Sequence, residues 1–196
     1  MMNTLFDETL ERIGNSLHSV DAETFNALLR DCETVLKNGG SVIVSGLGKN
    51  VPVCEKFVGC MVSLGLRAQF LHTNTAVHGD LGMVHDGDLV IVLSKSGETP
   101  ESINLAEHLA RRNVTLWLLS FSAENTLAKM IPNKLIAHLE HEGDMWNLVP
   151  HNSTTVTLMI LQELAISLGK RFNIQLSDFK KNHPGGGIGS ILKEAK

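Results

Sequence analysis

The sequence has few cysteines, no long basic run and no long apolar stretch, and each absence excludes a class of protein. The three cysteines (Cys32, Cys54 and Cys60) are odd in number and form no CxxC pair. They therefore predict reduced thiols rather than a disulfide framework. With 17 basic residues against 21 acidic ones, the net charge is −4. This charge argues against nucleic acid or an anionic membrane as a partner.

The apolar stretches are far shorter than a membrane span requires. The first eight residues contain Asp7 and Glu8 but no basic region followed by an apolar core, so we expect no signal peptide. We therefore predict a cytoplasmic protein. Its 196 residues, 43% hydrophobic and 19% charged, suit one domain with a sizeable core. No repeat or linker divides the chain, and we predict a single domain over residues 1–196.

Apolar spacing predicts two helices over residues 4–37, with Asp21 as the N-cap of the second. From residue 40 to about 190, strand-like runs alternate with helical patterns and form an α/β core. The predicted strands are 42–44, 68–71, 88–93, 114–119 and 134–139. The predicted helices are 50–64, 101–112, 123–130 and 153–169, with a last short helix from about Ser177.

This alternation predicts an α/β fold with a parallel sheet covered on both faces. In such folds ligands bind outside the carboxyl ends of the strands. The segments that follow the predicted strands are therefore the places to look for functional residues.

The most informative segment is Ser94-Lys-Ser-Gly-Glu-Thr99, called here the hydroxyl loop, between a predicted strand and a predicted helix. An ordinary capped helix would need only one of its hydroxyls, at Ser96 or Thr99. Two hydroxyls, a glycine and free first-turn amides favour an anion site. Lys95 either adds charge there or points outward. The sequence therefore predicts a phosphorylated small molecule as ligand.

A second glycine turn, Ser45-Gly-Leu-Gly-Lys49, follows the first predicted strand. A dinucleotide fingerprint would need glycine where Val51 stands. A Walker A motif would need glycine at Ile43 and a hydroxyl at Asn50, so both motifs fail. What remains is either a tight turn that lets backbone approach a ligand, with a lysine at the strand end, or a turn with a solvated lysine.

Several other polar residues lie in predicted loops, and each is a weak signal by itself. A lone loop histidine such as His72 or His78 is more often structural than catalytic. No HExxH or Cys/His grouping supports a structural zinc site. Pro184 restricts the backbone of His183, which suits a positioned side chain better than a flexible tail. A second hydroxyl-rich helix start, Asn152-Ser-Thr-Thr155, follows the acidic segment Glu140-His-Glu-Gly-Asp144.

Taken together and in this order, these segments resemble the sugar isomerase (SIS) domain, and more narrowly the arabinose-5-phosphate isomerases. The hydroxyl loop is generic to SIS domains, whereas two other segments are more specific to the subfamily. Many members carry a pair of cystathionine-β-synthase domains after the SIS domain, and we expect this chain to be a single-domain form without them. The matching segments are Ser45-Gly-Leu-Gly-Lys49, His78-Gly-Asp-Leu-Gly-Met83, the hydroxyl loop with Pro100-Glu101, Asn152-Ser-Thr-Thr155 and His183-Pro-Gly-Gly186.

The resemblance implies a three-layer α/β/α sandwich of the flavodoxin-like type, with a five-stranded parallel sheet. It implies a homotetramer with sites at subunit boundaries, and a sugar phosphate as the small-molecule ligand. The implied reaction is the reversible interconversion of D-ribulose 5-phosphate and D-arabinose 5-phosphate through an enediol. That product feeds the synthesis of Kdo, a sugar of lipopolysaccharide and some capsules. No cofactor and no metal are expected.

The resemblance also places the family's functional residues on this sequence. We hypothesise that Glu142 is the base, with its basicity tuned by burial, and that Glu101 could exchange roles with it. The other implied catalytic residues are Lys49, which would stabilise the enediolate, His183, which would assist proton transfer, and His78, which would orient the sugar. The implied substrate-binding residues are Ser94, Ser96 and Thr99, with Ser45, Gly46 and Ser153 nearby, and His72, which can also take an inhibitory zinc.

Three alternatives stay open. The chain could be an isomerase of another substrate, such as a phosphoheptose or hexulose phosphate. It could be a sensor that binds a sugar phosphate without turnover, as SIS domains of regulators do. It could also be a metal-dependent isomerase, which chelator sensitivity would reveal.

Overall fold

The structure is a computed structural model that describes the backbone of residues 4–194 and the side chains of residues 6–191. Residues 1–3 and 195–196, the two ends of the predicted domain, lie outside the described residues. The strands are β1 (Val42–Gly46), β2 (Ala68–His72), β3 (Leu89–Leu93), β4 (Thr115–Ser120) and β5 (Asn133–Ile136).

Helices precede, connect and follow these strands. Between β2 and β3 the chain makes two short 3₁₀ turns, Ala76–His78 and Asp80–Met83. The α-helices are α1 (Thr4–His18), α2 (Ala22–Lys37), α3 (Asn50–Ser63), α4 (Pro100–Leu109), α5 (Thr126–Met130), α6 (Asn152–Arg171), α7 (Leu176–Asn182) and α8 (Gly186–Glu194).

The five strands form one sheet in the order β2-β1-β3-β4-β5, and every pairing is parallel. This order matches the flavodoxin-like arrangement, so the predicted fold class is confirmed. Ser45 on β1 pairs with Leu71 on β2 and with Val92 on β3. The carboxyl ends of these three strands therefore meet at one edge of the sheet.

Successive side chains of each strand point to opposite faces, which gives the core two halves. On one face, Val42 and Val44 of β1 pack in a cluster with Phe57 of α3 and Leu161 of α6. On the other face, Ile43 packs in a cluster that includes helices α4 and α5. All five residues of β1 and of β3 are buried. Helices cover the sheet on both faces, as the continuous apolar strands predict.

Several elements differ from the sequence-based prediction. Helix α5 begins only at Thr126 because the Asn125 side chain caps it through the Ala128 amide. Strand β5 ends at Ile136 rather than at 139, and the amide of His138 already turns to the hydroxyl of Ser19. Beyond α7, the glycine-rich segment enters a further helix, α8, that the sequence did not predict.

The three cysteines are free thiols, as predicted from their number and spacing. Burial raises the pKa of Cys54 to about 12 and the pKa of Cys32 even further. Both therefore stay protonated near neutral pH. In the described part of the chain, no helix is both long enough and apolar enough to cross a membrane.

Candidate functional site

The turn after β1 brings backbone and a lysine to the carboxyl edge of the sheet. A Cβ at Gly46 would stand 2.8 Å from Cβ of Asn50 and 3.1 Å from Sγ of Cys54, so glycine lets α3 start close to the strand end. The buried hydroxyl of Ser45 lies 2.9 Å from the hydroxyl of Thr73. Lys49 follows as an exposed residue directly before α3. The predicted functional turn is thus tightly packed, with its lysine side chain at the surface.

The hydroxyl loop connects β3 to α4, as predicted. Buried Ser94 accepts a hydrogen bond from the amide of Gly97 at 3.1 Å, which closes the turn. Exposed Ser96 accepts a hydrogen bond from the amide of Glu98 at 3.3 Å. Thr99 is the N-cap residue of α4, but its side chain makes no capping hydrogen bond. The hydroxyl groups of Ser96 and Thr99 are therefore not consumed in strong caps, and the loop keeps donors for an anion.

Glu98 ties the hydroxyl loop to the start of α5. Its carboxylate accepts hydrogen bonds from the amide and from the hydroxyl of Thr126, both at 2.8 Å. These two bonds lower the pKa of Glu98, the side-chain bond most. Local sequence patterns give no sign of this contact, because Thr126 lies in a different helix. Glu98 therefore fixes the hydroxyl loop against the first residue of α5.

Gly97 is the residue of this loop that a side chain would damage most. Its φ is +68°, a region that L side chains rarely adopt, and an added Cβ would stand 2.0 Å from Cγ and Oδ1 of Asn125. Asn125 cannot move away, since it is buried and holds the Ala128 amide at 2.7 Å. We expect Gly97→Ala to lower the free energy of unfolding by about 2–4 kcal/mol, measured by urea denaturation.

The matched control for that substitution is Gly14→Ala in α1, where an added Cβ would meet nothing within 4 Å. Alanine favours a helix interior by about 0.5–1 kcal/mol over glycine, so this variant should be no less stable than the wild type. Equal unfolding midpoints for the two variants would contradict the packing argument.

Glu142 is fully buried and its carboxylate is saturated with donors. Oε2 accepts hydrogen bonds from the amides of His151 at 3.1 Å and Ser153 at 2.9 Å. Oε1 accepts a hydrogen bond from the hydroxyl of Ser153 at 2.7 Å, and Nζ of Lys95 lies 2.5 Å from it. Ser153 lies in the first turn of α6, where free amides and the helix dipole also favour a negative charge.

These contacts reverse the expected tuning of Glu142. Burial by itself raises the pKa of the carboxyl, and this is the largest single influence. Lys95, Ser153 and His151 together outweigh burial, so the net pKa of Glu142 lies below its ordinary value. Burial does influence the basicity of Glu142, but the hydrogen-bond donors set the net direction of its pKa. The carboxylate is therefore ionised at neutral pH.

A cavity of about 90 Å³ opens at this edge of the sheet. It brings together three of the predicted site residues, Lys49, Ser94 and Ser153, with Lys95 beside them. Glu142 lies behind this wall, in contact with Lys95 and Ser153. Two lysines and the hydroxyls of Ser94 and Ser153 at one cavity can bind a phosphate, and an ionised carboxylate that could take a proton lies one contact behind them. Their assignment as functional residues stays a prediction.

The other predicted residues of this edge lie outside the cavity lining. Glu101 is exposed in the first turn of α4 and His78 is exposed in the first 3₁₀ turn. His72, the last residue of β2, is half-buried and packs edge-on to Phe70. Its Nδ1 is buried and has no hydrogen-bond partner among the described residues. Within residues 4–194, no group of three His, Cys, Asp or Glu side chains is placed to hold a metal ion.

His183 and Lys49 lie at opposite ends of α3. Its Nε2 is 3.0 Å from the hydroxyl of Ser63, the last residue of α3, and its ring stacks on Phe179 with a centroid distance of 3.9 Å. Helix α3 starts directly after Lys49. The helix has 14 residues and is therefore about 20 Å long at a rise of 1.5 Å per residue. Within one protomer, His183 therefore cannot reach the cavity at Lys49.

Comparison with known proteins identifies relatives of this chain. A family model described as the SIS domain matches residues 35–167, more than half of the sequence. Arabinose 5-phosphate isomerase KdsD of Pseudomonas aeruginosa is 36% identical over 183 residues, which are 93% of this chain and 56% of the relative. Arabinose 5-phosphate isomerase KpsF of Escherichia coli is 34% identical over the same shares of both chains. The chain thus spans about half the length of these curated relatives.

Among solved structures, a protein of Escherichia coli CFT073 in complex with arabinose 5-phosphate is similar over its whole length. The TM-score is 0.85 at 28% sequence identity, and the match covers 94% of this chain and 100% of that protein.

Proposed function

The chain belongs to the SIS domain family, and on that premise we propose that it is an aldose–ketose isomerase that interconverts D-ribulose 5-phosphate and D-arabinose 5-phosphate. Two relatives named arabinose 5-phosphate isomerase, at 36% and 34% identity, support this substrate. So does the similar fold solved with arabinose 5-phosphate, at 28% identity. We propose that residues 1–196 act as one domain in this reaction.

The observation that carries the proposal is the cavity where Lys49, Ser94 and the partners of Glu142 meet. Isomerisation moves a proton between C1 and C2 through an enediol, so it needs a base beside both carbons and a cation near the developing oxyanion. Glu142, which is ionised and lies directly behind Lys95 and Ser153 of the cavity wall, is proposed as that base. Lys49 is proposed to stabilise the enediolate.

The hydroxyl loop is proposed to hold the phosphate through Ser96, Thr99 and the first amides of α4. Ser45, Gly46 and His72 would line the sugar from the ends of β1 and β2. Glu101 and His78, both exposed at this edge, would orient the sugar or assist proton transfer.

The distance between His183 and Lys49 leads us to propose that His183 acts in a neighbouring subunit. Because His183 is anchored at the far end of α3, only a second copy can bring this side chain to the cavity. A closed homotetramer with sites at its subunit boundaries meets this requirement. We further propose a cytoplasmic location, where free thiols such as Cys60 stay reduced, and a role in supplying Kdo synthesis.

The proposed activity is tested by incubating the EDTA-treated protein with D-ribulose 5-phosphate in D₂O and following the products by NMR. We expect arabinose 5-phosphate that carries deuterium at C2, because an enediol intermediate exchanges its proton with solvent through the base. Binding of the sugar phosphate without product and without exchange would instead identify a sensor. Activity that EDTA abolishes and added metal restores would favour the metal-dependent alternative.

The phosphate assignment predicts a selective effect of Ser96→Ala. Loss of one hydrogen bond to a charged group costs about 1.5–3 kcal/mol, so we expect KM for ribulose 5-phosphate to rise about ten-fold or more. The turnover number should change little, because the phosphate is held equally in the ground and transition states. Steady-state kinetics measure both constants. Ser167→Ala on α6, whose hydroxyl donates a hydrogen bond to Glu163, is the control, and an unchanged KM for Ser96→Ala would contradict the assignment.

A further inference from the structure

Lys95 connects the hydroxyl loop to the buried carboxylate across the cavity edge. Its backbone is fixed, since its carbonyl accepts hydrogen bonds from the hydroxyl of Ser120 at 3.1 Å and from the amide of Phe121 at 3.2 Å. Its side chain is 44% exposed, yet Nζ lies 2.5 Å from Oε1 of Glu142, whose side chain is 0% exposed. One end of this contact thus faces solvent and the cavity, and the other is enclosed by protein.

The two oxygens of Glu142 are held in different ways. Oε2 is bound by two backbone amides of the α6 start, those of His151 and Ser153, which cannot leave without unwinding the helix end. Oε1 is bound by two side chains, the hydroxyl of Ser153 and the ammonium of Lys95. Side chains can change partners at low cost. Oε1 is therefore the oxygen of this carboxylate whose partners can rearrange when a ligand enters the cavity.

We propose that Lys95 is a positioning residue for the isomerase reaction, which orients Oε1 of the base Glu142 toward the sugar from within the loop that binds the phosphate. This inference rests on the proposed function. The inference assigns a role to Lys95. From the sequence alone, two interpretations of Lys95 stayed open: that it adds charge to the loop, or that it points outward. Lys95 lies between Ser94 and Ser96. The hydroxyl loop that would bind the phosphate therefore also positions the carboxylate of Glu142.

A charged donor is suited to this task. An ammonium–carboxylate hydrogen bond is shorter and stronger than a neutral one, and it favours the ionised form of the acid. A neutral side chain of similar length would fill the space without either effect. Arginine would preserve the charge. Lys95→Met is therefore the neutral variant at this position, and Lys95→Arg is the conservative variant that keeps the charge.

The test is the pH dependence of Lys95→Met against the wild type. The base must be deprotonated to act, so activity falls as pH drops through its pKa. Without Lys95, the pKa of Glu142 rises, and the acid limb of kcat/KM should move to higher pH by about one unit. We expect kcat to fall more than KM rises, and Lys95→Arg to restore most of kcat and the wild-type limb.

A direct titration makes the result independent of turnover. In protein labelled with ¹³C at glutamate side-chain carboxyls, with Glu142→Gln used for assignment, the Glu142 midpoint should rise in Lys95→Met and not in Lys170→Met. Lys170 is an exposed lysine in the last turn of α6. Thermal unfolding checks that both variants fold.

An acid limb and a Glu142 midpoint that stay at their wild-type values in Lys95→Met would overturn the proposal. So would a shifted midpoint without any change in kcat. If the wild-type protein turns over no ribulose 5-phosphate, the proposed function fails instead. The titration then still decides whether Lys95 controls Glu142, and an unmoved midpoint overturns that contact separately.

Discussion

Glu142→Gln is expected to lower kcat for isomerisation by about 10³-fold, within the range that general base catalysis contributes. The amide side chain has nearly the shape of the carboxylate but cannot take the proton that must move between C1 and C2. Deuterium exchange at C2 in D₂O should stop together with turnover, because both pass through the same proton abstraction. Measurement of kcat and of exchange by NMR tests both consequences.

Substrate binding should survive this substitution. The amide oxygen can still accept from the amides of His151 and Ser153, so the start of α6 keeps its cap. The amide nitrogen can face the hydroxyl of Ser153, and the partly exposed Lys95 can find water. The hydroxyl loop is untouched. We therefore expect the dissociation constant of the sugar phosphate, measured by calorimetry, to stay within a few-fold of the wild type.

Glu140→Gln is the matched control for Glu142→Gln. Glu140 is an exposed carboxylate two residues earlier in the same segment, so its loss should leave kcat unchanged. Near-normal kcat for Glu142→Gln would mean that the base lies elsewhere. Glu101, exposed in the first turn of α4, would then take the role, and Glu101→Gln should stop the exchange.

The sheet was predictable because its strands are short apolar runs with side chains buried on both faces. Val42, Ile43 and Val44 divide between the two core clusters by simple alternation. Boundaries were harder where a long-range hydrogen bond decides them. The end of β5 depends on an amide that turns to Ser19, far away in the sequence. Local patterns carry no information about such a contact.

The turns of the candidate site were predictable from the sequence, but the contacts between its segments were not. Glycines and hydroxyls at strand ends marked the two turns, since those residue types are needed there locally. The contact between Lys95 and Glu142 was not predictable, because it joins segments that follow different strands of the sheet. The pKa of Glu142 shows the consequence. Burial of Glu142 was part of the hypothesis that it is a tuned base, whereas the donors that outweigh burial come from the fold.

His183 leads to the second large effect, which is restoration of activity by mixing two inactive variants. We expect His183→Ala and Glu142→Gln to be nearly inactive when each is prepared alone. Suppose that each site takes Glu142 from one subunit and His183 from another. In a randomly mixed 1:1 assembly, each of these residues is then intact with a probability of about one half, so about one quarter of the sites contain both. Activity should return to about one quarter of the wild-type value after subunit exchange.

The control for this mixing experiment pairs Glu142→Gln with Lys49→Met. Lys49 and the partners of Glu142 line the same cavity of one protomer, so neither kind of site in that mixture contains both intact residues. It should stay inactive even though native mass spectrometry finds mixed assemblies. Recovery in this control would mean that Lys49 and Glu142 serve different sites. If exchange is complete and the His183→Ala mixture still fails to recover, His183 does not act across a subunit boundary. Because its ring is held against Ser63 about 20 Å from Lys49, its role would then be to pack α7 against α3.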